Sequence, residues 1–189
     1  MRLRIVGSLT LLLLAAPLAG DLPARPLPAP LGQEEYLDAE DWFQSGLSLN
    51  SAGSYREAAE AFQRSLSINP ENPLAWLNLG TAQALAGNNA EAIDSLQQAL
   101  RLDPKLAMAL ANLGEIYLKT KRFSEAIETL NTLLALWPNN PDVRYRLGLA
   151  YLSLGEDGQA RTQYLALQAL DPNLAAQLLQ AIIQGKTHH

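Results

Sequence analysis

Few residues in this chain could run a reaction. Its 189 residues contain no cysteine, and its two histidines, His188 and His189, are the last two positions. Thiol catalysis, thiolate metal sites and structural disulfides are therefore excluded, as is any histidine-centred triad, metal centre or proton relay in the body of the chain. Acidic residues stand side by side at Glu34–Glu35 and Glu40–Asp41. Paired acids divide into acid and base only within a pocket, so these read as solvated charges that favour a helix N-terminus. The Gly155-Glu156-Asp157-Gly158 stretch has too few spaced carboxylates for a calcium loop. No Gly-rich run ends in Gly-Lys-Ser/Thr, so phosphate-loop chemistry is absent. Lys119, Lys121 and Arg122 form one small basic spot in a chain of net charge −5, which reads as a solvated turn and not as a nucleic-acid surface. No catalytic residue, metal site or cofactor is expected, and the chain does not read as an enzyme. What remains is a column of hydrogen-bonding side chains, Gln44, Asn78, Asn112 and Arg146, each 34 residues after the last. Such a column can hold a partner; it cannot transform one.

The same spacing governs the elements that position it. Gly46, Gly80, Gly114 and Gly148 repeat at 34 residues, as do Ala58, Ala92, Ala126 and Ala160, and Pro70, Pro104, Pro138 and Pro172. A fixed period of this length is the mark of a stacked repeat architecture. Each period reads as two helices, for example 73–86 and 90–103, with one apolar face apiece. Small residues at the Gly and Ala columns would let the two backbones approach, and each proline would close the second helix. Gln98 falls on the solvent side of its helix in this frame. Gly53, Gly87 and Gly155 suit left-handed caps where the first helix ends. Lys121 stands in that place in the third period, so a weaker or differently built cap is predicted there.

These columns resemble the tetratricopeptide repeat, whose pattern is W-x2-L-G-x2-Y, then A-x3-F, then P. The second period carries Trp76, Leu79, Gly80, Ala92, Leu96 and Pro104; the third carries Leu113, Gly114, Tyr117, Ala126, Leu130 and Pro138. Trp42, Gly46, Ala58, Phe62 and Pro70 mark the first, and Leu147, Gly148, Tyr151, Ala160, Tyr164 and Pro172 the fourth. The resemblance implies an all-α, right-handed helix-turn-helix solenoid of four tetratricopeptide repeats, at 39–72, 73–106, 107–140 and 141–174, plus a C-terminal capping helix at 175–184. Ser45, Leu49, Gln83, Leu110 and Arg144 depart from the usual large residue in their columns, and Arg144 predicts looser packing at the start of the fourth repeat. In the capping helix, Leu178, Leu179, Ile182 and Ile183 form one apolar side with Gln177, Gln180 and Gln184 interspersed; Asp171 or Asn173 could cap its start.

By the same resemblance, the first helices line a concave groove. Its lining would include Phe43, Leu47, Leu77, Thr81, Met108, Ala111, Glu115, Leu118, Tyr145, Leu149 and Leu152, with Gln44, Asn78, Asn112 and Arg146 placed to bond a bound peptide's backbone. Two readings stand side by side: a binding groove, or polar positions that are merely solvated and apolar ones that pack on the next repeat or the terminal helix. The carboxylate clamp of chaperone-binding relatives is not matched. Its positions fall on Phe43, Leu47, Asn78, Met108 and Asn112, or on Leu77, Thr81, Asn112, Asp142 and Arg146, without the required lysines. The expected function is a protein-interaction scaffold or assembly factor whose partner is another protein, with a structural homo-oligomeriser or a membrane-anchored subunit of a larger envelope complex as the alternative.

The N-terminal stretch is of another kind. Arg2 and Arg4 precede a 16-residue run without charge from Ile5 to Gly20. That is the layout of a signal peptide over residues 1–20, cleaved after 19, 20 or 24, or of an uncleaved N-terminal anchor attaching the chain to a membrane through residues 5–20. Either reading places the rest outside the cytoplasm, in the periplasm or another extracytoplasmic compartment. Pro23, Pro26, Pro28 and Pro30 then mark residues 21–34 as a stiff linker.

Overall fold

The 34-residue period is written directly into the helices of the computed structural model, which describes residues 37–186; the assignments made for 1–20 and 21–34, and the two histidines, lie outside the described residues. Four helical pairs follow one another: α1 Ala39–Ser51 with α2 Tyr55–Ile68, α3 Pro73–Leu85 with α4 Asn89–Leu102, α5 Ala107–Lys119 with α6 Phe123–Leu136, and α7 Pro141–Ser153 with α8 Asp157–Leu170. A last helix, α9, spans Pro172–Lys186. No strand occurs among the described residues.

Local chemistry starts the first helix of most pairs. Asp38 closes a capping box on α1, its Oδ1 accepting from the Glu40 and Asp41 N–H groups at 2.8 and 2.9 Å. Asn72 caps α3 by accepting from the Leu74 and Ala75 N–H groups, with Pro73 preset for the first turn, and Asn140 caps α7 by accepting from the Val143 N–H. The first helices end on a left-handed residue: φ is +80° at Gly53, +93° at Gly87 and +74° at Gly155. Lys121 adopts the same conformation at φ +61°, and the Arg122 N–H still reaches the Tyr117 carbonyl at 2.8 Å. The third cap is therefore built like the others, at a cost of about 1–2 kcal/mol for a side chain in that region.

Packing explains the small columns. Ala58, Ala92, Ala126 and Ala160 are wholly buried. A Cβ on Gly46 would lie 2.6 Å from the Phe62 ring, one on Gly80 2.7 Å from Leu96 Cγ, and one on Gly114 2.9 Å from Leu130 Cδ2. In these three pairs the glycine receives the large residue of its own second helix. Gly148 receives Leu178 of α9 instead, because Tyr164 lies half-buried at the edge, its hydroxyl accepting from Gln168 Nε2 at 2.9 Å.

The expectations for Arg144, the terminal helix and Gln98 meet these outcomes. At the tryptophan column of the fourth pair, Arg144 Nη2 donates to the Pro138 carbonyl at 2.7 Å, the place where Trp76 Nε1 meets the Pro70 carbonyl at 2.8 Å, and its Nη1 donates to Gln163 at 3.2 Å, while its buried Nε has no partner among the described residues. The guanidinium satisfies the same carbonyl as the indole does. The terminal helix starts at Pro172, ahead of 175, because Asp171 Oδ1 caps it through the Asn173 and Leu174 N–H groups. Asp171, not Asn173, is the cap. Of its four apolar residues only Leu178 and Ile182 are buried; Leu179 and Ile183 stay 37% and 56% exposed, since no further helix follows to cover them among the described residues. Gln98, too, is half-buried and accepts from Arg101.

The first helices of neighbouring pairs touch, α1 with α3 and α3 with α5, while the second helices have no comparable contact. The stack therefore curves toward the first-helix side. A direct test of the packing uses one helix and one substitution at two places. Ala92→Leu should lower stability by about 1–3 kcal/mol through overpacking. Ala90→Leu, on the exposed side of α4, should stay within about 0.5 kcal/mol. Urea unfolding of both variants measures the difference, and equal losses would contradict the packing described.

Candidate protein-interaction face

The residues assigned to the groove separate into three groups by burial and bonding. Leu77 is 4% exposed and belongs to the core, packed with Ala92, Leu96 and Leu113, so no partner can reach it. Phe43 and Leu47 are half-buried against the cluster around Phe62, the two phenyl rings tilted with centroids 5.7 Å apart. Ala111 packs in the same way on the cluster that holds Leu110 and Leu147, together with Leu118. Tyr145, Leu149 and Leu152 pack on the cluster to which α9 contributes Ala175, Leu178 and Ile182. For these last residues, packing on the chain's own terminal helix is what the structure shows.

The polar column has an internal use. Asn112 Nδ2 donates to Thr81 Oγ1 at 2.9 Å across neighbouring repeats, and Thr81 Oγ1 donates in turn to the Leu77 carbonyl at 2.8 Å. One repeat further on, Arg146 pairs with Glu115 at the same 31-residue separation. The pattern breaks earlier, because the residue facing Asn78 would be Leu47, which offers no acceptor. Asn78 Nδ2 turns back to the Leu74 carbonyl of its own helix at 2.8 Å, and Gln44 Nε2 to Glu40 Oε1 at 2.6 Å. Two of the four members, Asn112 and Arg146, are struts between first helices, and each asparagine's carbonyl oxygen and second amide hydrogen are left over.

Of the assigned apolar residues Met108 stands exposed, and two leucines not assigned join it. Met108 is 64% exposed, Leu74 49% and Leu85 53%. Leu74 and Met108 occupy the same column one repeat apart, between Glu40 and Asp142 in the outer repeats. Leu74 and Leu85 were not singled out by the sequence reading, although Leu74 shares its column with Met108 and could have been found from it. At the third turn, Arg122 is tied to Glu125 at 2.8 Å and stacks over Tyr117 at 4.7 Å. Glu125's own backbone N–H and then the Arg122 guanidinium hold its carboxyl below the usual glutamate range. That contribution is present above the ordinary glutamate pKa and is lost as pH falls through the lowered one. No group of three or more metal-ligating side chains occurs among the described residues, and none of their helices is long and apolar enough to cross a membrane.

A curved stack of helical hairpins with a strutted inner face defines a repeat scaffold. Matches to a tetratricopeptide repeat family model over residues 43–107, 86–141 and 111–175 show that the chain belongs to the tetratricopeptide repeat family. Proteins of this family generally mediate protein–protein interactions and are generally non-enzymatic. Among solved structures, the chain is similar to a MamA protein, at 28% identity and TM-score 0.73, over 79% of this chain and 82% of that one. A tetratricopeptide repeat protein from Parabacteroides merdae shares the fold at 22% identity and TM-score 0.73, over 79% of this chain and 60% of that one. So does the first such domain of Spaghetti (RPAP3), bound to the HSP90 peptide SRMEEVD, at 22% identity and TM-score 0.60, over 62% of this chain and 94% of that one. No curated protein matches the chain.

If the struts couple the repeats, a double-mutant cycle will show it. Thr81→Val and Asn112→Ala should interact by about 0.5–1.5 kcal/mol in thermal unfolding, the contribution of one such hydrogen bond. A coupling indistinguishable from zero would make the column mere solvated surface.

Proposed function

We propose that this chain is an exported, non-catalytic scaffold whose first-helix face holds a segment or subunit of a partner protein. The observation that carries this reading is the pair Leu74 and Met108, exposed in register on adjacent repeats beside polar side chains already held in place. Isolated surface leucines are ordinary, but an aligned apolar pair next to fixed amides suits an extended segment that places side chains on the one and backbone on the other. The ligand differs from the acidic peptide seen in the RPAP3 structure, because the clamp positions here offer no lysine for a terminal carboxylate. A photo-crosslinking residue at Met108, with one at exposed Ala169 of α8 as control, tests the reading. Crosslinks from position 108 to another protein, lost in Leu74→Asp with unchanged melting temperature, are the expected result. Equal labelling from both positions would remove the face from consideration.

The second reading, a structural homo-oligomer, is favoured by the open C-terminal end. Leu165, Leu179 and Ile183 are exposed there and, with Tyr164 and Arg161, line a hollow of about 320 Å³. Crosslinks from Met108 only to copies of the same chain would support it.

Export rests on the basic start and uncharged run of residues 1–20, and a periplasmic or similar location follows from it. Sequencing the N-terminus of the protein recovered from an extracytoplasmic fraction should return a start after residue 19, 20 or 24. Intact Met1 on protein that high salt does not strip from membranes would establish the retained anchor instead.

A further inference from the structure

Gaps between neighbouring second helices are bridged by one column of the repeat. Tyr117 reaches α4, its hydroxyl accepting from Gln97 Nε2 at 3.0 Å, and Tyr151 reaches α6, accepting from Asn131 Nδ2 at 3.4 Å. Between α2 and α4 the same column holds Gln83, which is shorter and whose Oε1 accepts from Ser95 Oγ at 2.7 Å. A cleft of about 370 Å³ stays open there, walled by Leu66, Leu79 and Trp76, with Glu91 and Asp94 at its rim. An adjoining hollow of about 380 Å³ shares Gln63, Gln83 and Glu91 with it and extends it to Glu60 and Arg56. Neither Glu60, Glu91 nor Asp94 has an ion-pair partner among the described residues.

The molecule shows what fits such a place. In the fourth repeat the position of Trp76 is taken by Arg144, whose guanidinium is held by Pro138 and by Gln163, the counterpart of Ser95. In the first repeat the Arg64 guanidinium stacks on Trp42, of the same column as Trp76, at 4.5 Å. The counterpart of Arg64 in the second repeat is Gln98, a neutral residue engaged by Arg101. So the second repeat alone combines the tryptophan, the open cleft and unpaired carboxylates with no guanidinium of its own at either place.

We propose that the α2–α4 cleft is a second docking site, and that its occupant is an arginine side chain carried on a segment of a partner protein. The aliphatic stem lies against Leu66, Leu79 and the Trp76 ring, and the guanidinium lies among Glu91, Asp94 and Glu60, with Arg56 at the far end of the cleft setting its limit. Gln83 selects a peptide over a free polyamine. The residue is 7% exposed, its oxygen is used by Ser95, and its amide nitrogen has no partner among the described residues, leaving it to donate to a backbone carbonyl of the segment.

The test is a titration of the full chain with N-acetyl-arginine N-methylamide, followed by NMR at the Trp76 indole N–H and the Gln83 side-chain amide. Saturable shifts at both groups are expected, with affinity at least fivefold weaker for the uncharged norleucine analogue and for the Glu91→Gln/Asp94→Asn double variant. Gln83→Tyr, which restores the residue that fills this gap in later repeats, should abolish the shifts. Should that variant fail to fold, the double variant at the exposed rim still decides the matter. Shifts that do not saturate, that norleucine reproduces, or that survive the rim variant unchanged would overturn the proposal. Spermidine binding as tightly as the arginine amide would overturn the peptide assignment.

Discussion

The whole stack depends on how closely two helices of a pair can approach. At Gly46, Gly80 and Gly114 the distance from a hypothetical Cβ to the facing side chain is below any that real Cβ atoms show, so the first helix has no side chain at its contact with the second. The wholly buried alanine column does the same on the other partner. With both surfaces pared down, Phe62, Leu96 and Leu130 can each fill the space directly over a glycine, and interior density is reached without strain. A larger residue at either column would push the pair apart and change the angle passed on to the next pair. Since each repeat contacts only its neighbours, that error would propagate along the stack.

Once the backbone spacing is set, the remaining columns are free to differ, and their differences carry the chemistry. Thr81 with Asn112 and Glu115 with Arg146 tie successive first helices, one by a neutral hydrogen bond and one by an exposed ion pair. Tyr117 and Tyr151 tie successive pairs on the other side. Between the first and second repeats both kinds of tie are missing, because Leu47 and Gln83 stand in those columns. Open surface lies on both sides of the stack, with Leu74 and Met108 on the first-helix side and the cleft beside Gln83 on the second.

The terminal helix shows how the end of a solenoid is managed. Leu178 enters the space over Gly148 that a residue of α8 would otherwise fill, so α9 is a structural part of the fourth repeat and not a lid laid over it. Leu179 and Ile183 remain outside because no further helix among the described residues packs over that part of the apolar side.

By itself, the sequence determined the period, the helical pairs and the small columns, because each depends on residue type at a fixed spacing. It also located the αL turns at Gly53, Gly87 and Gly155, whereas the like conformation of Lys121, where a different cap was expected, emerged only in the structure. Which side chains face a partner was decided only by tertiary structure. Leu77 and Met108 look equally apolar in sequence, yet one is sealed in the core and the other is 64% exposed. Asn78 and Asn112 are identical in type and column, yet one bonds its own helix and the other the neighbouring repeat, because their opposite numbers are a leucine and a threonine. Arg144 departs from its column in sequence, and only the fold brings Pro138 and Gln163 to receive it. Spacing along the chain fixes which helix a residue joins; what it touches depends on residues thirty positions away, and only folding brings those into reach.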